Sequence, residues 1–358
     1  MRRLETCLFA VLFLAPAATA HAAEDDLPIG NEAPRFSPIA VADAYYAYHD
    51  TSPGQGGAAT LTSTGNRHGD FSVNLAAVGG RLEHAKLTGA VVLQAGTSVD
   101  ALYVGSRGTP EVWKHVQLAN VGWKSGDFHV EAGVLPSLVG RESFVSTENW
   151  NYTRSMIADS TPYYVSGARL TYRATATLTM NATVFNGWDT FGDKNSGKTG
   201  HLRFAWAPSD KLTLESSTLA GQEQIPIQGQ KTTYRVFEDV VASYRLHERV
   251  QLALEAWIGS ELNYRAEDPL KGDDKQASFL KNPQFYGGAL SARWQFGDTV
   301  YLAGRGEALS DEAGVLTGSG ARRTVPAEPY IGQRLAAGTL TFGWQPHKAK
   351  GPALAALS

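Results

Sequence analysis

From about residue 39 to residue 345, apolar and polar side chains change places at every second position, in runs of roughly ten residues separated by turn formers. Successive side chains of a β-strand leave opposite faces of the sheet. Over residues 211–217, Leu212 and Leu214 therefore point one way, and Thr213, Glu215 and Ser217 the other. The same two-residue rhythm sets Leu202, Phe204 and Trp206 against His201 and Arg203. It sets Leu290, Ala292, Trp294 and Phe296 against Ser291, Arg293 and Gln295. One face suits hydrocarbon and the other suits water, which is the pattern of an all-β transmembrane antiparallel up-and-down β-barrel.

The start of the chain points to the compartment. Arg2 and Arg3 precede a short apolar stretch, residues 7–15, and small residues follow at Ala18, Ala20, Ala22 and Ala23. This is the layout of a secretory signal over residues 1–23. The apolar stretch falls short of the roughly 20 residues that a spanning helix needs. Cys7 is the one cysteine, and it precedes the cleavage sites, so the mature chain is expected to carry no disulfide, thiolate nucleophile or cysteine metal site. The formal charge is -3, and loss of the leader's net positive charge makes it slightly more negative. Nothing in that balance points to nucleic acid.

Residues 24–38, with Pro28, Pro34 and Pro38, read as a periplasmic lead-in. The barrel is expected over residues 39–346 and a C-terminal tail over 347–358. Strands are expected at 39–49, 70–80, 86–98, 112–124, 127–134, 162–173, 176–187, 200–207, 211–221, 234–246, 249–261, 284–296, 299–309 and 334–345. That is about 14 strands, within a range of about 12–16, and bacterial single-chain barrels use even numbers. The connections alternate between short turns and long loops, the signature of short periplasmic turns and longer external loops. Of the eight tryptophans, Trp123, Trp188, Trp206, Trp257, Trp294 and Trp344 fall near expected strand ends, where amphipathic rings would settle at the headgroup level. The pairs Tyr45-Tyr46 and Tyr163-Tyr164 are placed there as well.

Three stretches carry a family resemblance: Val130-Glu131-Ala132-Gly133, residues 148–155 with Trp150, Tyr152 and Arg154, and Asn186-Gly187-Trp188-Asp189. They resemble the OmpL-like β-barrel porin family of Gram-negative outer membranes. The resemblance implies a channel in the bacterial outer membrane, with no enzyme activity; passive diffusion through such a channel would need no cofactor. The C-terminus departs from the usual pattern, because the chain ends at Ser358 without a terminal aromatic residue.

The functional expectation is a porin, a passive diffusion channel for small hydrophilic solutes or ions, with outer-membrane lipid as its surroundings. A homo-oligomer is compatible with this class, although no interface signature is legible. A non-conducting surface barrel, acting as an adhesin or scaffold, is the main rival, and a barrel-rim hydrolase a distant third. Long loops in compact barrels are often functional, so residues 135–161 are a candidate constriction, with Arg141, Glu142, Glu148 and Arg154 setting local selectivity. Strand parity turns Arg169, Arg203, Glu215, Asp239, Arg245, Glu255, Arg293, Arg305 and Glu307 toward a wet interior, since Arg or Lys at the lipid midplane costs about 2–4 kcal/mol. Their mixed signs argue against strong ion selectivity. No catalytic residue and no metal-binding set stand out; His115, His129, His201 and His247 are scattered over different segments.

Residues 192–199 match the phosphate-binding loop expression Gly-x-x-x-x-Gly-Lys-Thr. That chemistry needs a strand before the loop and a helix after it, whose N-terminal amides hold the phosphate. Alternating strand follows here instead, over residues 200–206. The chain is therefore expected to show no ATP affinity in equilibrium binding, and Lys198→Ala to change nothing. Measurable ATP binding abolished by that substitution would contradict the assignment.

Overall fold

The computed structural model describes residues 33–50, 57, 62–102, 111–188, 190–192, 195–223, 232–263, 282–316 and 333–345, together with the backbone of three short strands at 7–13, 265–266 and 278–279. The lead-in is described only from residue 33, and the tail at 347–358 lies outside the described residues.

The strands in chain order are β1 (Cys7–Phe13), β2 (Arg35–His49), β3 (Phe71–His84), β4 (Leu87–Ala95), β5 (Val116–Ser125), β6 (Phe128–Pro136), β7 (Tyr164–Arg173), β8 (Leu178–Phe185), β9 (Thr199–Ser209), β10 (Leu212–Gly221), β11 (Tyr234–His247), β12 (Val250–Leu262), β13 (Arg265–Ala266), β14 (Ser278–Phe279), β15 (Gln284–Phe296), β16 (Val300–Asp311) and β17 (Gln333–Trp344). All except β13 and β14 form one antiparallel sheet in which chain neighbours are sheet neighbours. β13 and β14 pair with each other inside one of the long connections. Fourteen strands, β2–β12 and β15–β17, make the up-and-down barrel. β1 lies along the upper half of β2, with Cys7 opposite His49 and Phe13 opposite Asp43. The apolar stretch expected in the leader thus covers an edge of β2, and cleavage at the small-residue sites would uncover that edge.

Hydrogen bonding explains why strands are the spanning elements. No water is available in hydrocarbon, so each amide and carbonyl must find a partner in the chain, and antiparallel neighbours supply partners along the successive strand pairs from β2 to β17. Short turns close one end of the barrel. Gly126, in the turn from β5 to β6, has φ +55 with open space where a Cβ would stand, so only its backbone conformation calls for glycine.

The outward rows carry Val121, Leu170, Leu202, Val240, Leu254, Ile258 and Leu290, all exposed. Aromatic rings flank them at both levels. Trp123, Phe128, Tyr172, Trp206, Trp294 and Trp344 lie toward the short turns, and Phe71, Tyr234 and Tyr286 toward the long loops. On β15, Tyr286 and Trp294 are eight residues apart, about 26 Å along a strand at about 3.3 Å per residue. Tilted by about 35–45°, that length spans about 20 Å, close to the apolar band of an outer-membrane barrel.

Two expected ring positions differ. Trp257 is 3% exposed and packs inside against Phe237 and Phe285, and Trp188 meets Phe237 edge-on. Trp257 shares the parity of inward Glu255, and that parity outweighs its nearness to a strand end. Tyr45, Tyr163 and Tyr164 are likewise buried inside rather than in the outer ring. Other differences concern ends. β2 begins four residues before 39, and the strand expected over 86–98 stops at Ala95, giving way to helix α1 (Thr97–Leu102). A 3-10 turn, Glu111–His115, replaces the start of the strand expected at 112.

Leu290 is 62% exposed on the outward row of β15. Leu290→Arg should destabilise the protein in lipid vesicles by about 2–4 kcal/mol in reversible denaturant unfolding. Unchanged stability would mean that this face does not meet hydrocarbon.

Candidate functional site: a loop braced across the lumen

After β6 the chain turns inward. Residues 137–163 cross the barrel and touch strands on several sides of it. The first anchor lies on β10 and β11, where the Ser217 hydroxyl donates to the Leu138 carbonyl at 3.3 Å and the Gly140 amide donates to Asp239 at 3.1 Å. Gly140 has φ +79, and a Cβ there would stand 3.0 Å from the Glu255 carboxylate, so glycine lets the tip lie against β12.

The second anchor is on β16. Arg305 donates to Glu142 at 2.9 Å, to Glu307 at 3.1 Å and to the Thr153 carbonyl at 2.8 Å. Glu142 also accepts from the Ser155 amide at 2.6 Å, and Glu307 from the Met156 amide at 2.7 Å. Both acids and the arginine are buried. Buried charges of this kind persist only when paired and hydrogen-bonded, and here each carboxylate oxygen has a donor.

The far side is reached by Asn151, which donates to Thr341 of β17 at 3.1 Å, and by Tyr152, which donates to Asp43 of β2 at 2.9 Å. Burial, added to by the charge of Asp43, pushes the Tyr152 hydroxyl well above its ordinary value, so it remains a donor. Asp43 also accepts from Asn74 at 2.6 Å. Asn74 is the extra residue of a bulge between Asp43 and Ala44 on β2 and Leu75 and Val73 on β3, and such a bulge re-aims a side chain.

The loop also has its own interior. Arg154, 3% exposed, donates to the Phe144 carbonyl at 2.6 Å and to Asp159 at 3.2 Å, and its guanidinium lies over the rings of Phe144 and Tyr163. Asp159 accepts from the Ser63 amide at 2.8 Å, and the Ser98 hydroxyl of α1 donates to the Ser63 carbonyl at 2.6 Å. Arg154 thus braces the loop against the first two long connections rather than facing open space. Asn149 and Ser143 close a turn through two hydrogen bonds of 2.8 Å.

Apolar contact adds to the polar anchors. Leu135, Val139 and Ile157 pack on inward Phe185, Leu219, Phe237, Trp257, Phe285 and Leu309. A second cluster joins Phe144 and Ala158 to Leu75, Val92, Val99 and Leu118. The interior is therefore not uniformly wet, contrary to the simple alternation of an oily outside and a watery inside. A loop ordered in the lumen loses conformational entropy, and burial of these side chains offsets that loss.

The remaining candidates occupy distinct places. Arg169 is buried and donates to Glu131 and Thr183, each at 3.3 Å. Arg203 pairs with Glu215 at 2.6 Å and donates to Asn181 at 3.2 Å. Asp239 and Glu255 lie behind the backbone of the loop tip. Arg245 stands at the short-turn rim, 3.8 Å from Asp210. Arg293 lies over the Tyr301 ring and donates to Gln295 and Gln345. Arg141 lies over Trp150, and Glu148 is exposed at the end of the 3-10 turn Ser146–Glu148.

Beneath the loop, on the short-turn side, is a cavity of about 670 Å3 lined in part by Arg81, Arg141, Arg203, Lys211, Glu215 and Arg245. Arg81 and Lys211 are additions to the candidate set. Parity alone turns Arg81 inward, between outward Val78 and Leu82 rows, whereas Asp43, Ser63, Asn74 and Asp159 join the loop network through contacts that no local pattern announces. Thr199 of the phosphate-loop match starts β9 and donates to Glu223 at 2.5 Å, with antiparallel strand after it and no helix. Among the described residues no group of three His, Cys, Asp or Glu is placed to hold a metal ion.

No curated protein matches the sequence. Among solved structures, Salmonella typhi OmpF in complex with daunomycin is 15% identical, with 73% of this chain and 78% of that chain covered and a TM-score of 0.44. The outer membrane channel DcaP of Acinetobacter baumannii is 10% identical, with 79% and 90% covered and a TM-score of 0.44. OmpT of Vibrio cholerae is 9% identical, with 96% and 97% covered and a TM-score of 0.40. The family model described as putative beta-barrel porin-2, OmpL-like, matches residues 38–351, nearly the whole barrel and the start of the tail. The chain belongs to this OmpL-like porin family and is a β-barrel of the bacterial outer membrane.

Proposed function

We propose that the chain is a passive channel for small hydrophilic solutes, narrowed from within by residues 137–163. The observation that carries this reading is the set of anchors joining one loop to β2, β10, β11, β16 and β17. A loop tied to that many strands lies across the lumen, so the passage runs beside it. Solutes would cross by diffusion, with no cofactor and no covalent step. The paired charges along the wall hold the loop and present polar surface to water, and the wall residues Arg203 and Glu215 reach the open cavity.

A second reading, a non-conducting barrel serving as a surface scaffold, draws support from the apolar packing of Val139 and Ile157 against inward Phe237 and Trp257. Conductance separates the two. Discrete current steps in a planar bilayer support the channel, and silence from a folded, heat-modifiable barrel supports the scaffold.

Deleting residues 143–151 should raise single-channel conductance about twofold or more, since pore current follows open cross-section. Unchanged conductance would remove the constriction. Arg305→Ala leaves Glu307 buried without its cation and Glu142 with only the Arg141 contact at 3.4 Å, a local cost of about 3–5 kcal/mol. The variant should keep its heat-modifiable mobility while its current becomes noisier and larger as the loop departs; a quiet current of wild-type size would show that the loop does not depend on Arg305.

A further inference from the structure

The cavity under the loop has a composition that the paired charges conceal. Its volume of about 670 Å3 lies in the range of about 300–1,000 Å3 that takes small organic ligands. Its charged lining is of mixed sign, yet the signs are not equally available. Glu142 is tied to Arg305 and Arg141, and Glu215 to Arg203. Asp239 and Glu255 do not line the cavity, because the backbone of residues 140–141 covers them from that side.

Three cations are left. Arg81 on β3 and Lys211 in the turn from β9 to β10 are exposed, and among the described residues neither has an ion-pair partner. Among the described residues Arg245 has one ion-pair partner, Asp210 at 3.8 Å, and that aspartate is 79% exposed, so solvent screens the contact. Glu148 is the single acid of the lining that is exposed and without an ion pair among the described residues. Free positive charge therefore prevails. Arg81 comes from one wall, and Lys211 and Arg245 from another, so a solute between them would be held from two sides.

Uncharged polar groups such as Gln117, Thr213 and Gln251 share the lining with an apolar set. Ile39, Val41 and Leu118 come from the wall, and Leu138, Phe144 and Trp150 from the loop. A purely hydrophilic ion gains nothing from these side chains, whereas a solute with a hydrocarbon or aromatic body buries apolar surface against them.

We propose that this cavity binds small organic anions with an apolar body, of which aromatic monocarboxylates are the simplest. The proposal rests on the channel reading and names the class of solute that the channel would favour. The carboxylate would be drawn to Arg81, Lys211 and Arg245, and the ring would lie along Leu138 and Phe144. Binding here is reversible, and no bond is made or broken.

Equilibrium dialysis of the detergent-solubilised barrel tests binding, with benzoate, acetate and benzylammonium as probes, and planar-bilayer reversal potentials in a KCl gradient test the field. Benzoate should bind at least about fivefold tighter than acetate, which lacks the ring, and than benzylammonium, which reverses the charge. The bilayer should pass chloride in preference to potassium. Paired charge reversal, Arg81→Glu with Lys211→Glu, should weaken benzoate binding at least about fivefold and turn the preference toward potassium, while Glu148→Gln should strengthen the chloride preference. Heat-modifiable mobility confirms that each variant has folded. A conducting wild type that binds benzoate and benzylammonium alike, or reversal variants that bind benzoate unchanged, would overturn the inference and leave the channel intact. A silent bilayer with selective benzoate binding would remove the channel and keep the site; silence without binding would remove both.

Discussion

Arg305 joins its own strand β16 to a loop far away in sequence, gripping that loop at two points, the carboxylate of Glu142 and the carbonyl of Thr153, with Glu307 beside it. A guanidinium is suited to this task because its donors diverge in a fixed plane and it keeps its charge. The ion pairs need not stabilise the protein overall, since taking charges from water costs much of what their attraction returns. What they provide is position. A loop without Arg305 would have to leave buried Glu307 unpaired and Glu142 held by Arg141 alone, or move, and every other anchor, from Gly140 on Asp239 to Tyr152 on Asp43, presupposes that the loop stays.

The wall and the loop obey different rules. The wall is fixed by the bilayer, which demands complete backbone pairing and apolar outward rows. The loop lies in the interior, where both polar and apolar contacts are available, and it uses both. Phe237, Trp257 and Phe285 give it an oily seat at the end of the barrel where the long loops emerge, while Arg203, Lys211 and Arg245 keep the opposite side polar. This division lets one lumen contain a packed core and an open cavity at once.

The strands were legible in the sequence because their period is short and physical: each residue's facing follows from its neighbours. The strand expected at 284–296 coincides with β15, and that at 234–246 differs from β11 by one residue. Ends are less legible, since Thr97–Leu102 forms a helix where the alternation predicts strand to residue 98. Trp257 shows that parity is a better guide than position, because its row was already set by Glu255. The inner network was not legible. Ser63 meets Asp159 across 96 residues and Arg305 meets Glu142 across 163, and nothing in a two-residue rhythm encodes contacts between a loop and the opposite wall. For the same reason Arg154, expected to face the passage, lies within the loop's own core.

Hydrogen–deuterium exchange of the folded barrel in detergent addresses the braced loop most directly. The amides of Gly140, Ser155 and Met156 donate to Asp239, Glu142 and Glu307 inside the lumen. They should therefore exchange as slowly as strand amides, by factors of about 1,000 or more relative to an unstructured peptide. Exchange of these three amides at the rate of an exposed external loop would show that the loop is not held across the lumen.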